Sequence, residues 1–214
     1  MSRGAIAATI ACVLAVCAAA VGAVYAFPLL KVEEFTYEGL DHVTEEEAQQ
    51  AAGIVVGDNL MRIDAQQAAA QVAQLPWVHS ATVARVLPRE VHIRVEERQA
   101  VAYVESAEGP RLVDDRGYEF IIDVPPAEAV ELVGGDDFAD AVEVLAALPE
   151  ELRAQARSVD VADRFNLVFY LDDDRVVEWG ANEDNADKAR AFATVLKMEG
   201  QRWNISNPEL VVSR

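Results

Sequence analysis

The sequence predicts an α+β protein: a single N-terminal transmembrane helix, a small β-α-α-β-β domain, and a mixed β domain with two helices. Three observations carry that prediction. Residues 5–27 contain no charge, whereas the remainder is strongly acidic. In the acidic part, apolar residues alternate in some stretches and recur every three or four positions in others, so strands and helices are interspersed. Both cysteines, Cys12 and Cys17, lie in the apolar run, and the 188 residues from Phe27 onward contain none. No disulfide can hold that body, so it folds by core burial alone.

The charge is unevenly spread. The 214 residues carry 18 Lys plus Arg and 37 Asp plus Glu, for a net charge of −19. Residues 1–30 hold only Arg3, residues 31–98 hold 6 basic and 12 acidic side chains, and residues 99–214 hold 11 and 25. Such a chain lacks the basic face needed to grip nucleic acid through its phosphates. A hydrophobic content of 52% supplies a core and excludes global disorder.

The first element is the uncharged run. As a helix its 23 residues span roughly 34 Å, against about 30 Å for a bilayer core. Tyr25 and Phe27 sit at its far end, where aromatics favour the interface, and Pro28 ends it. Arg3 and the terminal amine make residues 1–4 the positive flank, so these face the cytoplasm and residues 28–214 lie outside. The rival reading is a cleaved signal peptide, with small residues at Val24-Tyr25-Ala26. Both readings export the body.

Residues 31–98 form the first domain. Val32, Phe35 and Tyr37 sit among charges over 31–39, as in a short strand with one wet face. Thr44 caps a helix and Glu47, three residues on, completes a capping box, with Glu45 and Glu46 at the positive end of the helix dipole. Gly53 ends that helix. Gly57-Asp58-Asn59 is a turn. Asp64 with Gln67 opens a second helix over Ala68, Val72 and Leu75, and Pro76 breaks it. Strands follow over 80–86 and 90–96, with Val91, Ile93 and Val95 on one face. Trp77 is expected to plug the core beneath the second helix.

Residues 99–214 form the second domain. Strands are expected over 100–105, 111–114, 118–122, 159–162, 166–171, 175–179, 203–206 and 210–213. Helices are expected over 138–148, ended by Pro149, and over 185–198.

Candidate chemistry is sparse. His42, His79 and His92 lack metal-ligand spacing. Asp172-Asp173-Asp174 reads as a hairpin turn, because adjacent side chains point apart and cannot converge on one ion. There is no phosphate loop, nucleophile elbow or HExxH, and the body has no cysteine nucleophile, so an enzyme is the weak hypothesis. No catalytic residue, cofactor or metal site is expected.

Four blocks stand in order along the chain: Leu75-Pro76-Trp77-Val78, Arg85-Val86-Leu87-Pro88, Val95-Glu96-Glu97-Arg98 and Asp114 with Gly117. In residues and order they resemble the FtsQ/DivIB family of bacterial cell-division proteins. Further on, Val177-Glu178-Trp179-Gly180 with Lys188, and Asn204-Ile205-Ser206-Asn207-Pro208, match later blocks. Asp41 stands for the family's usual Asn and Met61 for its usual Phe.

The resemblance implies a retained anchor, a POTRA domain over 31–98 and an FtsQ-type β domain over 99–214. It implies a non-enzymatic divisome scaffold at the division septum, supporting septal cell-wall synthesis. Its partners would be the FtsB/FtsL-type (DivIC/FtsL) pair, held by the β domain near its C-terminal strand. Leu210, Val211, Val212, Ser213 and Arg214 are short, apolar and terminal, fit to be a sheet edge where another chain adds a strand. Arg214 could meet a partner carboxylate. The alternative is that Leu210 to Val212 pair internally and the edge is covered. An alternative function is a POTRA-bearing transport or assembly component. A membrane β-barrel would then have to follow, and the acidic 116 residues after Arg98 do not read as one.

Overall fold

The computed structural model describes residues 10–17 and 30–213. The expected tail at 1–4 and most of the expected span at 5–27 lie outside them. Residues 10–17 are helical, and among the described residues no helix is long and apolar enough to cross a membrane. The chain divides into two compact units between Glu97 and Arg98.

The first unit runs β1 (Glu34–Glu38), α1 (Glu45–Ala52), a 3-10 turn (Leu60–Arg62), α2 (Ala65–Val72), β2 (Val78–Val86) and β3 (Glu90–Glu97). This is the expected β-α-α-β-β order. β3 is central, parallel to β1 and antiparallel to β2. Alternation places Val91, Ile93 and Val95 in the core with Ala48, Ala52, Ala68 and Val72 of the two helices. Thr44 and Glu47 form the reciprocal capping box, and Gly53 closes α1 in the left-handed conformation. Asp64 Oδ1 accepts from the N–H groups of Gln66 and Gln67 and so starts α2.

Trp77 does not plug the core as expected: it is half-buried and packs against the core edge, and the His42 ring stacks on it with centroids 3.7 Å apart and planes 7° apart. Pro76 does not end α2 either, which stops at Val72 in advance of the turn that delivers Trp77.

The second unit runs β4 (Ala100–Ser106), β5 (Gly109–Asp114), β6 (Glu119–Ile122), β7 (Val130–Val133), α3 (Ala139–Ala147), α4 (Glu150–Arg153), β8 (Ala156–Asp160), β9 (Leu167–Leu171), β10 (Val176–Gly180), α5 (Asn185–Val195), β11 (Arg202–Asn204) and β12 (Val212–Ser213). They form one nine-stranded sheet in the order β12-β11-β10-β9-β8-β7-β4-β5-β6. Phe169, Trp179 and Phe192 form its aromatic centre, with ring centroids 5.3–6.2 Å apart. Two helices were expected and three are present. Pro149 ends α3 but also opens the single turn α4, where its fixed φ suits a helix start and its missing N–H costs nothing. β7 was not expected: Val130-Glu131-Leu132-Val133 is too short for alternation to stand out, yet it lies inside the sheet between β4 and β8.

The motif residues at the crossing between units are structural. Glu97 belongs to the first: its carboxylate accepts from the backbone N–H groups of Asp41, His42 and Val43 at 2.9–3.1 Å and lies 3.0 Å from His42 Nδ1. Arg98 belongs to the second: it pairs at 2.5 Å with buried Asp114, whose other oxygen accepts from the N–H groups of Arg116 and Tyr118. Gly117 in that turn has φ of 82°, and a Cβ there would lie 2.6 Å from the Ala139 nitrogen at the start of α3. Only glycine fits so close an approach.

Candidate partner-binding edge

The C-terminal edge is built on β10 and β11. β11 runs parallel to β10, with Val176 opposite Arg202 and Glu178 opposite Asn204. β12 returns antiparallel, with Trp203 opposite Ser213 and Asn204 opposite Val212. β12 is the last strand in the sheet order, paired on one side with β11.

Two motif blocks distant in sequence meet here. The Asn204 amide donates to Glu178 Oε2 at 2.7 Å, and the Ile205 N–H donates to the Glu178 carbonyl at 2.9 Å. Gly180 has φ of 82°, and a Cβ on it would lie 2.7 Å from Ser206 Cβ, so glycine lets the turn after β11 pack against β10. The Ser206 N–H and hydroxyl both donate to Asn204 Oδ1, and the Glu209 N–H donates to Asn207 Oδ1. These side-chain bonds close the turn that aims the chain into β12. Trp179 Nε1 donates to Asn185 Oδ1 at 3.3 Å, and buried Lys188 donates to the Ala181 carbonyl at 2.9 Å, which pins α5 to the end of β10. Burial pushes the Lys188 pKa down, while Glu183 and Asp184 pull it up; burial wins.

The expected site residues separate into different roles. Leu210 is not in a strand: it ends the turn, exposed, its N–H bonded to the Asn207 carbonyl. Val211 is half-buried and packs against the second unit's core. Only Val212 and Ser213 make strand pairs, so the strand is two residues where four were expected, because the Asn207-Pro208 turn runs on through Leu210. Arg214 lies outside the described residues. Sequence reading missed a groove of about 390 Å³ beside Val211, lined by Arg190, Ala191 and Thr194 of α5 and by Pro208 and Glu209. The helix face and the turn are 14 or more residues apart in sequence, and no local periodicity reports their meeting.

The Asp172-Asp173-Asp174 run makes the β9–β10 turn. Asp174 sits at φ of 64°, Arg175 Nε pairs with Asp173 at 2.7 Å, and Arg157 pairs with Asp174 at 3.1 Å. Among the described residues no group of three His, Cys, Asp or Glu could hold a metal ion.

An FtsQ-type POTRA module followed by an FtsQ/DivIB C-terminal module is the class these two units define. The family profile described as "POTRA domain, FtsQ-type" matches residues 30–98, and that for the cell division protein FtsQ/DivIB C-terminal region matches residues 102–211. The cell division protein FtsQ of Corynebacterium glutamicum is 36% identical over 195 residues, covering 87% of this chain and 88% of its own length. That of Mycobacterium tuberculosis is 33% identical over 205 residues, covering 92% of this chain and 65% of its own. That of Streptomyces griseus is 31% identical over 196 residues, covering 84% and 94%. The solved extracytoplasmic domain of DivIB from Geobacillus stearothermophilus aligns over 49% of this chain at 21% identity with a TM-score of 0.36, too slight a likeness to carry an argument. The chain belongs to the FtsQ/DivIB family of bacterial cell-division proteins.

Proposed function

We propose that the protein is a non-enzymatic divisome scaffold that links early and late division proteins and supports septal cell-wall synthesis. Residues 1–4 form its cytoplasmic tail and 5–27 a retained single span. The POTRA domain (31–98) and the β domain (99–214) work outside the cytoplasm, at the septum. Its partners are the FtsB/FtsL-type (DivIC/FtsL) pair, which adds a strand to the β-domain sheet beside Val212 and Ser213. Leu210 and Val211 flank that strand, and Arg214 offers a charge to a partner carboxylate. Main-chain bonds supply affinity and the neighbouring groove supplies selectivity.

The observation that carries this reading is the sheet order, which finishes on the two-residue strand Val212–Ser213. An edge strand leaves one row of N–H and C=O groups for another chain. The test is co-purification of the FtsB/FtsL-type pair with the full chain carrying Val212→Pro and Ser213→Pro together. These changes remove two backbone donors but leave Val211 in the core. Recovery of the pair should fall at least about tenfold, the loss that corresponds to about 1.4 kcal/mol. Normal recovery by a variant whose circular dichroism is unchanged would move the site elsewhere on the domain.

A further inference from the structure

The POTRA domain is asymmetric from end to end. Among its described residues the exposed large apolar side chains are Val55, Val56, Met61, Val86 and Leu87, with Leu87 66% exposed. All sit on segments tied together where the chain enters the domain. The Leu60 N–H donates to the Leu30 carbonyl at 2.9 Å, and the Gly57 N–H donates to the Val32 carbonyl at 2.8 Å. The Glu33 N–H donates to the Arg89 carbonyl at 2.8 Å, and Arg85 Nη1 donates to the Met61 carbonyl at 3.4 Å. The sheet register agrees: Glu34 of β1 and Val86 of β2 both face Glu90, so the 87–89 turn lies at the same end.

Four of the six cations of residues 31–98 share this end: Lys31, Arg62, Arg85 and Arg89, all exposed. Five carboxylates share this end, four of them held by partners within the domain. Glu33 pairs with Arg89 at 2.8 Å, Asp58 accepts from the Val55 N–H, Asp64 caps α2 and Glu90 accepts from Thr36; Glu34 is exposed. The opposite end carries Asp41, Glu45, Glu46 and Glu96.

The length of the tether decides what covers this end. Only Pro28 and Leu29 separate Phe27, the last residue of the uncharged run, from Leu30, which packs against the domain core. Three residue steps reach at most about 10 Å. The headgroup layer on each side of a bilayer core is about 5–8 Å thick. If residues 5–27 span the membrane, the Leu30 end of the domain is held within a few ångströms of the headgroup layer.

We propose that this end of the POTRA domain is a lipid-contacting foot, with Val56, Met61 and Leu87 entering the headgroup region of an anionic membrane and Lys31, Arg62 and Arg85 meeting its phosphates. Long cationic side chains bury their stems and leave their charges at the headgroups, as an interfacial surface requires. The foot holds an acidic body against a negative surface that would otherwise repel it. The inference rests on the retained span of the proposed function.

The test uses the full chain with Cys12→Ala and Cys17→Ala, reconstituted into vesicles. A polarity-sensitive fluorophore is placed on Leu87→Cys or, at the opposite end, on Asp41→Cys. In vesicles containing phosphatidylglycerol, the Leu87 probe should shift to the blue and be quenched by headgroup-labelled lipid, and the Asp41 probe should do neither. Changing Lys31, Arg62 and Arg85 to Gln should cut the docked population about fivefold per cation in vesicles of that composition. Equal quenching in phosphatidylglycerol and pure phosphatidylcholine overturns the role of the cations. A Leu87 probe as wet as the Asp41 probe, on a chain that resists carbonate extraction, overturns the foot alone. A chain that carbonate extracts overturns the retained span, and the foot with it.

Discussion

Replacing Glu97 by Ala tests the clamp that closes the POTRA domain. The carboxylate is 9% exposed and accepts three backbone N–H groups from consecutive residues, Asp41, His42 and Val43. Removing it leaves three donors without an acceptor, at about 1–3 kcal/mol each when water is excluded. His42 is half-exposed, so water reaches part of the loop and the low end applies. Glu97→Ala should therefore destabilise this domain by about 3 kcal/mol. Glu97→Gln keeps an acceptor but loses the charge, and should cost about 1–2 kcal/mol.

The pH dependence has a definite sign. Burial pushes the Glu97 carboxyl up, but the N–H groups of Asp41, Val43 and His42 and the His42 ring pull it down, and the net shift is below the ordinary 4.5. A carboxyl with a lowered folded pKa contributes stability above its unfolded value and loses it as pH falls through the folded value. The gap between wild type and Glu97→Gln should be full at neutral pH and close below 4.5. Urea unfolding read by pulsed amide exchange over residues 35–52 isolates this domain from the other. A Glu97→Ala effect under about 0.5 kcal/mol, the size of an ordinary surface substitution, would refute the clamp. So would a gap that stays constant down to acid pH.

Trp77→Ala should cost about 2 kcal/mol in the same assay, less than the 3–5 kcal/mol of a fully buried aromatic, because the ring is only half-buried. Lys188→Met should leave the β domain within about 1 kcal/mol of wild type at neutral pH, since an apolar side chain of similar volume replaces a buried charge. The folded Lys188 pKa lies below 10.5, so wild-type stability should rise with pH through the interval beneath that value, and the Lys188→Met curve should be flatter there; thermal melts across alkaline pH check this. A reporter active only outside the cytoplasm, fused after Arg214, should be active if the Arg3 flank sets the orientation.

The first domain was the more legible because its signals are local. Thr44 and Glu47 are three residues apart, Gly53 follows the last helical residue, and Val91, Ile93 and Val95 alternate within one strand. Each was visible in a window shorter than ten residues. The second domain depends on long-range pairing. β7 has four residues and is recognisable only from its neighbours β4 and β8, which are distant in sequence. β8 begins at Ala156, three residues before the expected start, because its register is set by Leu171 of β9 and not by its own composition. The edge behaved likewise: apolar Leu210 looked like strand, but the Asn207 carbonyl holds its N–H in a turn. The motif residues Glu97, Arg98, Asp114 and Gly180 were recognised by pattern, yet their work became apparent only with their partners in place. They accept loop amides, pair across a turn and admit a close approach. The His42–Trp77 stack had no sequence signal, since 35 residues separate the two rings.

Amide exchange tests most directly whether a partner adds a strand beside β12. Exchange at Val212 and Ser213 would be followed in the full chain, alone and with the FtsB/FtsL-type pair. Strand addition predicts that both amides, or the one facing away from β11, slow by at least about tenfold on binding, with little change at β6 on the opposite edge. Binding of the pair with Val212 and Ser213 exchanging at their free rates would contradict it.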